Sequence, residues 1–244
     1  MTDTDAARPL IEARNLTMRF GGVAAIAGVD LTVAEGELRC LIGPNGAGKS
    51  TFFKMLTGQL MPSEGEILFR GTRINGLEPH DIARLGIGIK TQVPNVFDGL
   101  TVRENLWIAT SRRKRGKAID RSVVQELERL ELGPIADRLV GQLAHGQRQW
   151  IELGLVLLTE PVLILLDEPA AGMTEDETVR TARLIGNIRQ SCALIVVEHD
   201  MAFIRMIASR ITVFDRGRIL VEGDAETVLA DQRVRDVYLG KRAA

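Results

Sequence analysis

Gly43-Pro44-Asn45-Gly46-Ala47-Gly48-Lys49-Ser50-Thr51 is the stretch that decides the fold. It fits the pattern G-x-x-x-x-G-K-[ST], and it stands between the apolar strand pattern LRCLI (38–42) and the helical pattern STFFKMLTG (50–58). A phosphate-binding loop needs that context. Glycines let successive backbone N–H groups turn inward around phosphate oxygens, and the helix that follows adds the positive end of its dipole. In such a loop Lys49 reaches the terminal phosphates and the Ser50 hydroxyl ligates Mg²⁺. A glycine-rich turn without a ligand requires neither the strand before it nor the Lys-Ser pair and helix after it.

Working outward, the chain must supply acids near that loop. PVLILL-Asp167-Glu168-Pro169 sets two carboxylates at the C-terminal end of a continuous apolar run of the buried-parallel-strand type, the edge where ligands sit in open α/β sheets. Asp167 is placed to hold Mg²⁺, and Glu168 to polarise an attacking water as general base. A second run, CALIVVEHD (192–200), brings Glu198, His199 and Asp200 to another strand end, with His199 placed to contact a terminal phosphate. Each of these acids alone would read as a helix cap; beside a phosphate loop they read as a nucleotide site.

The rest of the chain frames that core. LIEARNLTMRF (10–20), GVDLTVAEGELRCLIG (28–43) and EGEILFRGTRI (64–74) read as strands broken by Gly21-Gly22 and Glu35-Gly36. From about residue 81 to 158 the spacing becomes helical, in VRENLWIAT, DRSVVQELERLEL and GQRQWIELGLVLL. SRRKRGK (111–117) reads as a solvated basic loop between helices, and DAETVLADQRVRDVYLG (224–240) as a short helix. The fold expected is therefore α/β: a β-rich part with the phosphate loop over 8–80, a helical insertion over 81–158, and an α/β core with a C-terminal helix over 159–244.

Composition excludes several classes of protein. The 244 residues are 45% hydrophobic and 26% charged, and 31 basic against 32 acidic residues leave a formal net charge of −1. That balance argues against a partner such as nucleic acid bound by broad electrostatics. No apolar run approaches the roughly 18 residues of a spanning helix, and the start MTDTDAARPL lacks the features of a signal peptide, so a cytoplasmic location is expected. Cys40 and Cys192, each in an apolar stretch, read as buried free thiols.

Taken together, these motifs resemble the ATP-binding cassette of ABC transporters over almost the whole chain, a phosphate-loop NTPase core with an antiparallel β subdomain and an inserted helical subdomain. LAHGQRQWIELGLVLL (143–158) is similar to that family's signature helix. The resemblance implies that Phe20 stacks on adenine, that Gln92 senses Mg²⁺ and the attacking water, that His199 is the switch histidine, and that PAAGM (169–173) links two active sites. It further implies that ATP lies between one chain's phosphate loop, Gly43 to Thr51, and another chain's signature residues Ala144, His145, Gly146 and Gln147. GIGIKTQVPNVFDGLTVRENL (86–106), the HGQRQWIELG form of the signature (145–154), AAGMTEDET (170–178) and VVEHDM (196–201) together look like importers of branched-chain amino acids, and most like the urea and short-chain-amide branch.

The partners so implied are a second cassette, identical or different, two transmembrane permease subunits and, indirectly, a periplasmic solute-binding protein. The chain would then lie peripherally on the cytoplasmic face of the inner membrane. The permease would dock near 92–102; Trp107 could join that contact, although an aromatic on an apolar helix face is expected in the core. Three departures stand out: Ala144 where the family usually has Ser, Thr174 where many cassettes have Asp, and Thr91 in place of an aromatic. His145, beside the missing hydroxyl, either donates to the partner site's phosphate or simply begins the helix. Competing functions are a soluble ABC ATPase without a transport role and a cassette that binds ATP but hydrolyses it poorly; intact Lys49, Asp167, Glu168 and His199 favour a hydrolytic transport subunit.

Overall fold

The computed structural model describes residues 9–239. Both ends of the expected 8–244 unit, and with them the opening residues read as free of a leader, lie outside the described residues. In chain order the elements are β1 (Pro9–Phe20), β2 (Val23–Ala34), β3 (Leu38–Ile42), α1 (Lys49–Leu56), β4 (Glu64–Phe69), β5 (Thr72–Arg73), α2 (Pro79–Arg84), β6 (Ile87–Lys90), α3 (Val102–Ser111) and α4 (Lys117–Arg129). They continue with α5 (His145–Leu157), β7 (Leu163–Asp167), α6 (Glu175–Ile188), β8 (Ala193–Val197), α7 (Met201–Ile207), β9 (Arg210–Asp215), β10 (Arg218–Asp224), α8 (Ala225–Ala230) and α9 (Gln232–Leu239). Among the described residues no helix is long and apolar enough to cross a membrane.

Two sheets form. The first is four-stranded and antiparallel in the order β2-β1-β4-β5; the second is six-stranded in the order β10-β9-β3-β8-β7-β6. In the second, β3 runs parallel to β8 and β9, β7 runs parallel to β6 and β8, and only the β9–β10 hairpin is antiparallel. Apart from Arg39 in β3 and Asp167 at the end of β7, its strands β3, β8 and β7 are apolar because each face meets a separate core. Leu38, Cys40, Ile42, Ile164, Leu166, Leu194 and Val196 point into a core shared with α3 to α7. Leu41, Leu163, Leu165, Ala193, Ile195 and Val197 point the other way, onto α1 and the antiparallel sheet. A period of two along one strand thus serves two layers, each fully buried aliphatic side chain contributing about 1.5 to 3 kcal/mol.

Buried Arg39 ties the layers together. Its guanidinium donates to Glu37 Oε1 at 2.6 Å, Thr212 Oγ1 at 2.8 Å, Glu222 Oε2 at 2.9 Å and the Thr32 carbonyl of β2 at 3.0 Å. With its donors occupied, the cation meets the condition under which a buried charge is tolerated.

Three local readings change on seeing the structure. β6 lies inside the stretch read as helical from 81 to 158, yet it is the edge strand of the six-stranded sheet; four residues are too few to show a period. The expected single C-terminal helix is two, α8 and α9, because Asp231 adopts an extended backbone and its Oδ1 accepts from Arg233 N at 2.8 Å, stopping one helix and starting the next. Trp107, expected in the core, is 45% exposed, since Val102, Asn105, Leu106 and Thr110 occupy the buried face of α3. Cys40 and Cys192 are free and buried, as expected.

A buried acid in the helical layer is a liability. Glu126 in α4 is 7% exposed, its Oε1 has no hydrogen-bond partner, and burial pushes its carboxyl up to about 7 against the weaker pull of Arg129. Because the folded value lies above the unfolded one, the penalty is absent below the unfolded carboxyl range near 4.5, grows as pH rises, and is complete above about 7. Glu126→Gln will therefore raise the melting temperature at pH 8 by an amount corresponding to about 1 to 3 kcal/mol, with the gain fading towards pH 5. Equal melting temperatures for the two proteins at pH 8 would contradict this.

Candidate nucleotide site

The phosphate loop leaves β3 at Ile42 and enters α1 at Lys49, with Gly48 at φ +106° as the helix cap. Its glycines are set by close approach. A Cβ on Gly43 would stand 2.2 Å from the Phe214 carbonyl, and one on Gly48 would stand 2.6 Å from the Ala25 carbonyl, whereas Gly46, at φ +78°, opens onto free space. A cradle closed behind and open in front is the shape a phosphate chain requires. Pro44, Asn45 and Ala47 complete the loop, Ala47 buried and Asn45 exposed. Ser50 and Thr51 occupy the first turn of α1, with Ser50 exposed where a metal ligand must be.

Lys49 is buried, and its Nζ donates to the carbonyls of Gly43 at 2.7 Å and Pro44 at 3.1 Å. Burial lowers its pKa, while Glu168, Asp167 and Glu198 oppose the shift. Asp167 at the end of β7 is the mirror image: burial and the neighbouring Glu168 raise its pKa, and Lys90, Lys54 and Lys49 pull it back. Acids and cations thus gather at the C-terminal edge of the parallel strands, and the donor set of Ser50 hydroxyl and Asp167 carboxylate fits a hard divalent cation.

Glu168 is the centre of the cluster. Gln92 Nε2 donates to its Oε2 at 2.9 Å, and His199 Nδ1 lies 3.3 Å from its Oε1. Glu168 itself sits at φ +46°, with its N–H donating to the Val197 carbonyl of the adjacent strand at 2.9 Å. A non-glycine residue held in the left-handed region is strained, and that strain aims the carboxylate off the strand end. The next turn is braced by Glu198, a buried acid not included among the site residues expected from sequence. Its Oε2 accepts from His199 N at 2.8 Å and Asp200 N at 3.4 Å, and its Oε1 from Ala170 N at 3.4 Å. The signal was present, since an acid ending an all-apolar run is conspicuous.

Phe20 closes β1 beside the Gly21-Gly22 turn and is 49% exposed, so it does not fill the core. The same hairpin reaches the phosphate loop through Gly217, whose N–H donates to the Ala47 carbonyl and whose carbonyl accepts from Ala27 N, both at 2.9 Å. An exposed ring at this edge can stack on a base. Phe20→Ala will raise the ATP dissociation constant about fivefold or more, by analogy with the 1 to 3 kcal/mol of base–aromatic stacking, while Phe20→Trp leaves it near wild type. A nucleotide titration run beside a melting curve checks this; a lower melting temperature at unchanged affinity would make Phe20 structural.

The signature residues gather elsewhere. Among the described residues, no hydrogen bond joins Ala144, His145, Gly146 or Gln147 to the phosphate loop. Ala144 precedes α5 with no side-chain acceptor; its N–H donates to Gln147 Oε1 at 3.1 Å and its carbonyl accepts from Arg148 N at 3.2 Å. The first turn of α5 therefore keeps free N–H donors, and these favour an anion. A Cβ on Gly146 would stand 2.5 Å from Glu177 Oε1, so the first turn of α5 lies close against the carboxylate that caps α6. His145 Nε2 accepts from Gln149 Nε2 at 3.1 Å. Thr174 caps α6, its Oγ1 accepting from Glu177 N at 3.3 Å while its own N–H donates to Glu177 Oε2 at 3.0 Å. Thr91 Oγ1 donates to the Val93 carbonyl at 3.0 Å.

Tyr238, the chain's single tyrosine, was missed altogether. Its hydroxyl accepts from Gly43 N at 2.7 Å, and burial pushes its pKa up to about 12. No local motif marks a contact across 195 positions.

A phosphate loop on a parallel sheet, a paired carboxylate two strands away at the same C-terminal edge and an inserted helical layer define a phosphate-loop nucleotide hydrolase of cassette type. Residues 26–171 match the ABC transporter family. The chain belongs to that family and is an ATP-binding, ATP-hydrolysing cassette. It is 36% identical over 252 residues to the high-affinity branched-chain amino acid transport ATP-binding protein BraF of Pseudomonas aeruginosa, covering 96% of this chain and 99% of that protein. Identity to LivG of Escherichia coli, strain K12, which carries the same description, is 36% over 253 residues, with 96% and 99% covered. Among solved structures, the ADP conformation of MJ1267, an ATP-binding cassette of an ABC transporter, superposes with a TM-score of 0.86 at 28% identity, over 96% of this chain and 99% of that one. The post-hydrolysis cassette MJ0796, dimeric and bound to ADP and Pi, gives 0.76 at 25% identity, over 88% and 98%.

Proposed function

We propose that this chain powers an ABC importer for branched-chain amino acids or for urea and short-chain amides. The relatives' names support the first solute class, and the stretches 86–106, 170–178 and 196–201 favour the second. The observation that carries the reading is the meeting, at one sheet edge, of the Lys49 loop, Asp167 and the triad Gln92, Glu168 and His199. The proposed chemistry follows from those residues. Lys49 exchanges its two carbonyl partners for phosphate oxygens, a charge-assisted contact. Ser50 and Asp167, with Gln92, hold Mg²⁺, which when bound neutralises phosphate charge. Glu168 accepts the proton of the attacking water, and His199 keeps the carboxylate oriented.

Residues Ala144 to Gln147 serve a second cassette's ATP, identical or different in sequence, through the free N–H groups that begin α5. Two transmembrane permease subunits dock on the helical layer, where exposed Phe97 and Trp107 offer apolar contact, and a periplasmic binding protein delivers solute to them. The chain then works peripherally at the cytoplasmic membrane face, without nucleic acid. Neither a non-transport ATPase nor a poorly hydrolysing cassette is favoured by the transport relatives or by the assembled triad. Affinity purification of the tagged chain from its native membranes tests this: multi-helix permease subunits should accompany it, and recovery with ribosomes or DNA in their place would overturn the transport reading.

A further inference from the structure

Behind the triad lies a cation that the ATPase chemistry described above does not use. Lys90 ends β6, and its side chain is 2% exposed. Its Nζ donates to Gln149 Oε1 and, at 3.3 Å, to the Thr91 carbonyl, and stands 3.7 Å from Glu152 Oε2, an oxygen with no hydrogen-bond partner. Lys90 and Glu152 are thus a buried ion pair, their side chains 2% and 6% exposed. Filling the space could not account for such a group, because a methionine of similar length would do so without desolvating a charge.

What the ammonium holds is Gln149, and Gln149 has two further contacts. Its Nε2 donates to the Gln92 carbonyl at 2.9 Å and meets His145 Nε2 at 3.1 Å. Because Lys90 engages the amide oxygen, the amide cannot flip, and its N–H groups are committed to the Gln92 loop and to the first turn of α5. The path then continues through Gln92 Nε2 to Glu168 and on to His199. One buried cation thus stands behind both the arm that touches Glu168 and the helix end that bears the signature residues.

We propose that Lys90 is a positioning residue for ATP hydrolysis: acting through Gln149, it locks the Gln92 loop to the first turn of α5, so that the two segments hold one geometry. The inference rests on the roles of Gln92 and Glu168 given under the proposed function. Lys90 touches no nucleotide and should leave nucleotide affinity alone.

The test uses the full chain with two changes that break the lock differently. Lys90→Met/Glu152→Gln removes the cation together with the carboxylate it would otherwise leave buried and unpaired. Gln149→Leu leaves the Lys90–Glu152 pair in place and cuts the link beyond it. Steady-state ATP hydrolysis, ATP binding and melting temperature are measured for each. The mobility of a nitroxide on Val93→Cys is added, since that position is 76% exposed and the native Cys40 and Cys192 are buried.

Both variants should lose kcat by about tenfold or more, as misplaced catalytic groups do, with the ATP dissociation constant held within about twofold and the nitroxide more mobile than on the otherwise unaltered chain. Wild-type kcat in either variant would overturn the proposal. So would a loss of kcat that tracks affinity and melting temperature together, which would make Lys90 structural only. Glu168→Gln, run alongside, separates the two readings: full hydrolysis in that variant means the site assignment has failed, whatever the Lys90 variants do.

Discussion

Glu168→Gln will bind ATP with wild-type affinity and hydrolyse it about 10² to 10⁴ times more slowly, the span of general-base catalysis. The structure makes the substitution clean. Glutamine can take the same rotamer at the end of β7, its carbonyl oxygen can still accept from Gln92 Nε2, and the left-handed backbone at φ +46° is no more strained by an unbranched amide than by the acid. What is lost is the ability to take a proton from water. An ATP-bound cassette assembly should therefore accumulate, visible by light scattering as a larger species that ADP does not produce. Undiminished hydrolysis, with no such species, would remove Glu168 from its role.

Lys49→Ala should weaken ATP binding about tenfold or more, the equivalent of a charge-assisted contact of roughly 1.5 to 3 kcal/mol, and abolish measurable hydrolysis. Two effects add. The phosphates lose their direct cation, and Asp167, Glu168 and Glu198 lose the positive charge that offsets their mutual repulsion beside an incoming polyanion. Some fold stability should be lost as well, because the Gly43 carbonyl that Lys49 now caps is buried and would lose that partner, so a melting curve is run beside the titration. Isothermal titration with ATP and with ADP is the measurement. Equal affinities for the two proteins would show that the loop does not hold phosphate.

The parts of this molecule that could be read from sequence are those whose physics is local. The phosphate loop declares itself because strand, glycines, lysine and helix must follow one another along the chain. β7 and β8 do so because strands buried on both faces have to be apolar at every position. β6 was hidden for the opposite reason: Ile87–Lys90 is short, and its place as edge strand is fixed by pairing with β7, distant in sequence. Trp107 was misjudged because helical spacing shows that a stripe exists without showing how wide the packed face is, and here Asn105 takes a buried place by hydrogen bonding to Phe97 and Thr101. The triad was legible as three separate motif ends. Its bracing was legible only in part: Glu198 marks itself as an acid ending an apolar run and braces the turn next to it, whereas Gln149 behind Gln92 acts across the fold, where no spacing rule reaches.

The bond from Gly43 N to the Tyr238 hydroxyl makes α9 and the nucleotide thermodynamic partners. Linkage is reciprocal: whatever free energy docking of α9 lends to a binding-ready loop, bound nucleotide returns to the docking of α9. The amides of α9 should therefore exchange with solvent more slowly in cassettes with ATP than in cassettes without it. A fusion partner attached just beyond α9 would draw on the same account, lowering ATP affinity from a position that no map of the active site would include.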